Sequence, residues 1–502
     1  MRFRTGISLA TLVLGSTATA FVGCSSDEDT HAPVTGDAGS DDAHSTSVDG
    51  STSDAGPDCT YSKLTLKTVS TRGSDTAVLK RNAYDYTPSI MHDGRYRMYW
   101  CGGVAGDHIL YSTAASLDGP WDTPKSVLTP TGVPGTFDRT HTCDPSVIRV
   151  DGTYYLYYGG LDEGEAKSTQ TTRLGVATSK DGISWTRSNG GAPIVVPVRG
   201  ISGLVNQYGA GQPSVTYVDG KFYLMFTDTT GLGGNQGNGA GQYVLRSSDP
   251  IFQKDVEELT KEGFTPYDAK THTVRSLTEA FSADLQFVDS LDAFVVAVNA
   301  GTELHLRFFD RKMNPIEGGT ATIPGSNAEG PGIVGRPDRH AIPSTDPQKV
   351  VADLLHAIGP SIATWDLAHH GGDVSTDRNP ACVDFGKVFE GSLIVAPEKP
   401  LTLIRDGKRL QFASAAPAQV LARASYDVSA AFFESFPYGA SMSTGANVLS
   451  APDRPGGFLL DDGKLYPFDC LELVTANGSS LTTVTAAEWD SYPRGSTLHC
   501  AR

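Results

Sequence analysis

Basic charge is scarce in this chain. Its 502 residues hold 40 Lys and Arg against 57 Asp and Glu, a formal charge of −17. Binding a phosphate backbone needs cations to displace counterions, so nucleic acid is excluded as a partner. None of the seven cysteines stands in a Cys-x-x-Cys pair or at Cys/His zinc spacing, and no metal ligand set is expected. Long apolar runs are also missing: beyond the first residues no segment reaches the about 20 apolar residues that span a bilayer. Residues 25–58 have no Lys or Arg and nine acidic groups. With almost nothing apolar to bury, they cannot offset the entropy of ordering and are predicted to be a disordered acidic tether.

The whole chain is 39% hydrophobic and only 19% charged, with 55 glycines and 19 tyrosines, which suits β-structure with many tight turns. A single core stops growing at about 250–300 residues, so a large domain with something smaller beside it is expected. At the start, Arg2 and Arg4, the apolar run Ile7 to Leu14 and the small residues Ser16 to Ala20 read as an export signal. Gly23-Cys24-Ser25-Ser26 resembles a bacterial lipobox, which implies acylation of Cys24; Phe21 departs from the usual Leu. Residues 1–24 are thus expected to be a lipoprotein signal peptide. The only membrane partner would be this lipid anchor, on the outer membrane or cell surface of a Gram-negative bacterium.

From Tyr86 onward a unit recurs. Thr87-Pro88-Ser89-Ile90, Asp93-Gly94 and Tyr96-Arg97-Met98-Tyr99 match Asp144-Pro145-Ser146-Val147, Asp151-Gly152 and Tyr154-Tyr155-Leu156-Tyr157. Both match Gln212-Pro213-Ser214-Val215, Asp219-Gly220 and Phe222-Tyr223-Leu224-Met225. Each is a hairpin whose Asp-Gly pair supplies positive φ, a structural role. A further strand and turn follow each hairpin, as in Leu174-Gly175-Val176-Ala177 before Asp181-Gly182. Weaker copies begin at Ala283-Asp284-Leu285-Gln286 and Glu329-Gly330-Pro331-Gly332-Ile333. Antiparallel strands repeating at this interval describe propeller blades better than a sandwich.

Asp-Pro-Ser-Val, an Asp-Gly turn and an aromatic strand resemble the five-bladed β-propeller glycoside hydrolases, chiefly family 43 of the arabinofuranosidase and β-xylosidase type, over roughly residues 80–375. The fold class implied is an all-β five-bladed β-propeller at 59–382. A C-terminal module at 388–502 would be small, α+β and two-copy: Asp406-Gly407-Lys408 matches Asp462-Gly463-Lys464, and Ala431 to Gly439 matches Ala487 to Gly495. It resembles small repeats of bacterial surface proteins and is read as a spacer or adhesion module.

The resemblance implies an exported hydrolase of plant or microbial polysaccharide with three carboxylates at the propeller mouth: a base Asp, a tuning Asp and an acid Glu. One carboxyl must protonate the leaving oxygen while another activates water or attacks the sugar. The matching positions here are Thr87, Asp144 and Gln212, so only Asp144 keeps the expected carboxylate. Neither threonine as a base nor glutamine as an acid functions near neutral pH. Asp85 is a possible substitute because strand alternation would keep it on the face of Thr87. Asp284, opening the fourth unit, and Glu329, in Glu-Gly-Pro, are the others.

The catalytic candidates are therefore Asp144, Glu329, Asp284 and Asp85, and the sugar-binding candidates His141, Tyr208, Gln212, Arg336 and His340; each has a competing structural reading as a turn, cap or buried polar residue. No cofactor is called for, and a divalent ion in the propeller cavity is left open. The missing acid and base positions also suit a glycan-binding propeller without catalysis. A sialidase is disfavoured: the turns at 116–119 and 179–185 resemble its Asp-boxes, but no arginine set for a sialic-acid carboxylate is evident. The protein is expected to be a monomer whose partner is carbohydrate. Without Cys24, six cysteines remain, and in an exported chain they favour disulfides, read as Cys101 to Cys143, Cys470 to Cys500 and Cys59 to Cys382.

Overall fold

The computed structural model describes residues 59–501, apart from 82, 104–106, 166–169, 202–206, 235–240, 271, 301–302, 326–327 and 361–363. The export signal, Cys24 and the tether lie outside the described residues. Among the described residues no helix is long and apolar enough to cross a membrane.

The chain is mostly β. After β1 (Leu66–Leu79), the described residues form five antiparallel meanders in chain order. The first is β2 (Tyr86–His92), β3 (Tyr96–Gly102), β4 (His108–Ala114) and β5 (Lys125–Leu128). The second is β6 (His141–Val150), β7 (Thr153–Leu161), β8 (Arg173–Ser179) and β9 (Thr186–Arg187). The third is β10 (Ala210–Val218), β11 (Lys221–Asp228), β12 (Gln242–Ser247), β13 (Glu257–Thr260) and β14 (Gly263–Pro266). The fourth is β15 (Ala283–Val288), β16 (Ala293–Ala300), β17 (Glu303–Phe309) and β18 (Pro315–Pro324). The fifth is β19 (Glu329–Gly335), β20 (Lys349–Ile358) and β21 (Asp366–Thr376), to which β1 adds as the outer strand.

Each meander packs both faces against its neighbours. Along β7, Tyr154, Leu156 and Tyr158 join a cluster with Met91, Tyr99 and Tyr111 of the first meander. The intervening Tyr155 and Tyr157 join one with Val215, Phe222 and Leu224 of the third. The period of two thus feeds two interfaces at once, which is why these strands are rich in Tyr and Phe rather than alternately polar. A further cluster joins Ile90, Met98 and Trp100 of the first meander to Val334, Leu355 and Leu367 of the fifth.

The leading strands β2, β6, β10, β15 and β19 meet at seams stitched by side chains. Ser89 Oγ accepts the backbone N–H of Val147 at 3.0 Å, and Ser146 Oγ that of Val215 at 3.0 Å. Ser214 Oγ accepts from Leu285 N at 2.7 Å, and Asp284 Oδ2 from Ile333 N at 2.6 Å. Between the fifth and first meanders the backbone does this work: β19 pairs in parallel with β2, Val334 opposite Ile90. Gly332 stands at the stitching position there, and a Cβ on it would lie 1.8 Å from the Pro88 carbonyl oxygen.

The tail has two units that share the order of three strands, a helix, a strand and a helix, the first adding a final strand. The first, after α1 (Phe385–Val388), is β22 (Leu393–Val395), β23 (Leu401–Arg405), β24 (Lys408–Phe412), α2 (Ala415–Leu421), β25 (Ser425–Asp427), α3 (Ala430–Glu434) and β26 (Tyr438–Met442). The second is β27 (Val448–Ser450), β28 (Gly457–Leu459), β29 (Leu465–Pro467), α4 (Glu472–Ala476), β30 (Leu481–Thr483) and α5 (Ala486–Ser491). In each, the strand after the first helix returns parallel to the first strand, β25 on β22 and β30 on β27. Leu393, Phe412 and Val420 share a core with Phe458, Phe468 and Leu473. The pairs Cys59–Cys382, Cys101–Cys143 and Cys470–Cys500 are all bonded as expected. The first closes a stretch of 323 residues from before β1 to after β21.

The seams set an expected cost. Ser146→Ala leaves the Val215 N–H buried without an acceptor and should destabilise by about 1–3 kcal/mol in urea unfolding. Gly332→Ala should cost about 2–3 kcal/mol through overpacking against Pro88. Unchanged unfolding midpoints for both variants would overturn this account of the seams.

Candidate functional site

The residue preceding the stitching position's neighbour is left-handed in every meander. Thr87, Asp144, Gln212, Ser282 and Gly330 have φ of 46°, 49°, 51°, 60° and 66°. For the four with side chains this conformation costs about 1–3 kcal/mol each, and a β-branched threonine is a marked outlier. All five residues line one small cavity together with Pro88, Pro145, Pro213, Ala283, Asp284 and Pro331. The kink turns five separate strands toward one point.

Gln212 links two carboxylates, Asp144 of the cavity lining and Glu329, which precedes the lining residue Gly330. Asp144 accepts from Thr87 Oγ1 at 3.0 Å and from the Gln212 backbone N–H. Gln212 Nε2 donates to Glu329 Oε1 at 3.1 Å. The amide is fixed because its Oε1 accepts from Tyr208 Oη at 3.1 Å, Thr227 Oγ1 at 3.1 Å and Ser282 N at 3.0 Å. Burial, reinforced by the charge of Asp107, pushes Asp144 up to about 7, although its hydrogen bonds from Thr87 and Gln212 pull the other way. Burial and the charge of Asp144 push Glu329 up to about 8. A pair so coupled titrates as a unit and holds a proton near neutral pH.

Aromatic side chains surround the pair. Tyr84 stacks on Tyr86 at 4.3 Å and lies 5.6 Å from Trp365, and Tyr208 meets Phe281 edge-on at 5.8 Å. Burial raises the phenols of Tyr84, Tyr86 and Tyr208, and the charges of Asp144 and Glu329 add to it. His141 is three residues before Asp144, between Asp107 at 3.1 Å and Glu163 at 3.2 Å. The hydrogen bond to Asp107 holds its imidazole above the ordinary value.

Of the residues singled out from sequence, Asp144, Glu329, Gln212 and Tyr208 come together, with His141 near them. Four others are placed elsewhere. Asp284 borders the cavity, but its oxygens accept from Ser214 Oγ at 2.5 Å, Ile333 N at 2.6 Å and Arg339 Nη2 at 2.6 and 2.5 Å; it is a structural counter-ion. Asp85 bonds Arg81 Nη1 at 2.6 Å and Trp100 Nε1 at 2.8 Å and does not line the cavity. A register shift between Tyr86 and Ser89 breaks the alternation that would have aligned it with Thr87.

Arg336 and His340 lie past the far end of β19, roughly 20 Å along the strand from Glu329. Arg336 pairs with Asp338 and Asp289 and donates to Val388 O at 2.7 Å, and His340 pairs with Asp289. Tyr84, Tyr86, Trp365 and Asp107 were missed by the sequence reading. Tyr84 and Tyr86 lie just before the first repeat motif, whereas nothing local marks Trp365 or Asp107.

The fold and site define a β-rich protein with a recessed, proton-holding carboxylate pair bordered by aromatics. No family model matches the chain. Its curated relatives include arabinan endo-1,5-alpha-L-arabinosidase A of Aspergillus niger, 33% identical over 139 residues, which are 27% of this chain and 38% of that protein. A probable arabinan endo-1,5-alpha-L-arabinosidase C of Aspergillus fumigatus is 30% identical over 195 residues, 37% of this chain and 50% of that protein. The chain thus spans half or less of the length of these relatives. Among solved structures, a family 117 glycoside hydrolase of Zobellia galactanivorans has TM-score 0.41 at 14% identity, covering 63% of this chain and 91% of its own. A GH43_1 enzyme from Xanthomonas citri has TM-score 0.38 at 14% identity, covering 59% and 89%.

The raised carboxyls predict a pH effect on folding. Unfolded, such groups titrate in the range of about 4; folded, Glu329 titrates at about 8. The folded chain therefore binds more protons across that window, and stability falls as pH rises through it. Glu329→Gln removes this loss, so the variant should gain stability over the parent at pH 8.5 and show no gain at pH 4. Urea unfolding at both values checks it, and an equal change at the two would overturn the assignment.

Proposed function

We propose that the chain is a glycoside hydrolase acting on an arabinan or related arabinofuranoside polysaccharide, with Asp144 and Glu329 as its acid and base pair. The observation that carries this reading is the Asp144–Gln212–Glu329 arrangement, in which one glutamine bonds two carboxyls with raised pKa that have no ion-pair partner among the described residues. Glu329, the higher of the two, is the group that stays protonated and gives its proton to the leaving glycosidic oxygen. Asp144 ionises first, aided by Thr87 and the Gln212 N–H, and takes the proton of the attacking water. Gln212 holds both groups, and Tyr84, Tyr86, Trp365 and Tyr208 offer faces on which sugar rings stack. The arabinanase names of the sequence relatives supply the substrate class.

In the same reading the five meanders are the blades of a five-bladed propeller at 59–382, closed by β1 on β21 and by the β19–β2 seam. The tail at 388–502 is a two-copy repeat. Residues 1–24 with Cys24 are the lipoprotein signal and 25–58 the tether, which places a monomeric protein at the outer membrane or cell surface with carbohydrate as its partner. Thr87 and Gln212 at the family's base and acid positions favour a second reading, a propeller that binds arabinan without cutting it.

Asp144→Asn and Glu329→Gln should each lower kcat/KM on linear 1,5-arabinan by about 10²–10⁴-fold, the usual share of general acid–base catalysis. The parent's kcat/KM should decline above about pH 8 as Glu329 loses its proton. Undiminished cleavage by folded Asp144→Asn would overturn the assignment; tight arabinan binding with no cleavage by the parent would establish the second reading.

A further inference from the structure

On the face opposite the carboxylate pair, the main β-body and the tail enclose a cleft of about 530 Å³ bordered by Arg97, Arg149, Tyr154, Lys180, Leu393 and Arg423. Arg149 and Arg423 also border the adjoining hollows toward Tyr217 and Leu498. Most charges here are matched: Arg97 holds Asp93 at 2.8 Å, and Arg336 and Arg423 share Asp338, each at 3.1 Å. Asp151 is exposed at the rim.

Among the described residues Lys180 donates to Thr153 Oγ1 at 2.7 Å, and Arg149 meets no carboxylate. Its guanidinium lies 5.1 Å over the Tyr154 ring, and its Nε and Nη2 are shielded from solvent with no acceptor. Those two nitrogens form the side edge of the fork that grips a carboxylate or phosphate with two parallel hydrogen bonds. Leaving that edge unbonded away from water is costly, and native proteins seldom do so without a ligand or ion to meet it. Among the described residues no acceptor meets this edge, and Arg149 itself borders the cleft.

We infer that this cleft is an oxyanion-binding site, Arg149 gripping a carboxylate or phosphate side-on and Arg423 of the tail closing on it, with an acidic sugar such as a uronate as the ligand that fits its volume. Burial, together with the charges of Arg97 and Arg423, holds the Arg149 guanidinium below its ordinary value, a load that an anion relieves. Arg423 is 41% exposed at its side chain while bonded to Asp338, so it can reach a ligand without leaving its partner. Since Arg149 belongs to β6 and Arg423 follows α2, an occupant would join the main body to the tail.

Calorimetric titration of the full chain with trigalacturonate, inorganic phosphate and neutral arabinotriose tests this. The expected result is trigalacturonate binding that weakens with salt and falls about tenfold or more in Arg149→Gln and in Arg423→Gln, as for a charged hydrogen bond lost. Asp144→Asn should bind trigalacturonate like the parent, and arabinotriose binding should be the same in the parent and both arginine variants. Phosphate that displaces trigalacturonate would extend the site to free oxyanions; phosphate binding alone would keep the site and change its ligand. Binding of neither anion, or unchanged affinity in Arg423→Gln and in every arginine variant that folds, would overturn the inference.

Discussion

The leading strand of each meander pairs with only one strand of its own meander, so its other edge presents backbone groups that must find partners away from water. Everything central in this molecule follows from how that edge is served. At four seams one oxygen from the preceding leading strand, on Ser89, Ser146, Ser214 or Asp284, accepts the exposed N–H. At the fifth, Gly332 lets the backbones of β19 and β2 approach and pair directly. The stitching residue stands two positions after the left-handed kink, so fixing the seam also fixes the direction of Thr87, Asp144, Gln212 and Ser282. The cavity is a by-product of the seams.

Where the motif is spelled in full, this was legible in the residues. Thr87-Pro88-Ser89, Asp144-Pro145-Ser146 and Gln212-Pro213-Ser214 give the same kink, proline and stitch. In the fourth meander the equivalent is Ser282-Ala283-Asp284, and without a proline the alignment slips by two. Asp284 was therefore read as an opening carboxylate when it holds the place of Ser146. The rule that alternate residues share a face failed for Asp85 for a related reason, since the kink inserts a bulge between it and Thr87.

Other features needed contacts that no local pattern encodes. Arg336 and His340 stand close to Glu329 in sequence, but an extended strand carries them to the opposite end, where α1 and Arg423 meet them. Trp365 meets Tyr84 and Tyr86 from the connection between β20 and β21, in the fifth meander. The disulfides were legible because strand ends are: Cys101 lies at the close of β3 and Cys143 just inside β6, where successive meanders touch.

Charge is unevenly distributed around the cavity, and one carboxylate faces a guanidinium while two others do not. Arg339 is fully buried and gives both contacts of its Nη2 to Asp284 while its Nη1 bonds the carbonyls of Ile90 and Ile333. That guanidinium is thereby spent on the seam between the first, fourth and fifth meanders. Among the described residues, Asp144 and Glu329 receive hydrogen bonds only from neutral donors, Thr87 and Gln212. A carboxylate surrounded by neutral donors gains less from ionising than one facing a guanidinium, and each anion here would also repel the other. Retaining a proton is the lower-energy solution, and it is the arrangement of Arg339, not of the pair itself, that withholds the counter-ion. A substitution at Thr87 or Gln212 that introduced a third carboxylate would raise this repulsion further, which gives a physical reason for neutral residues at both positions once Glu329 occupies the fifth strand.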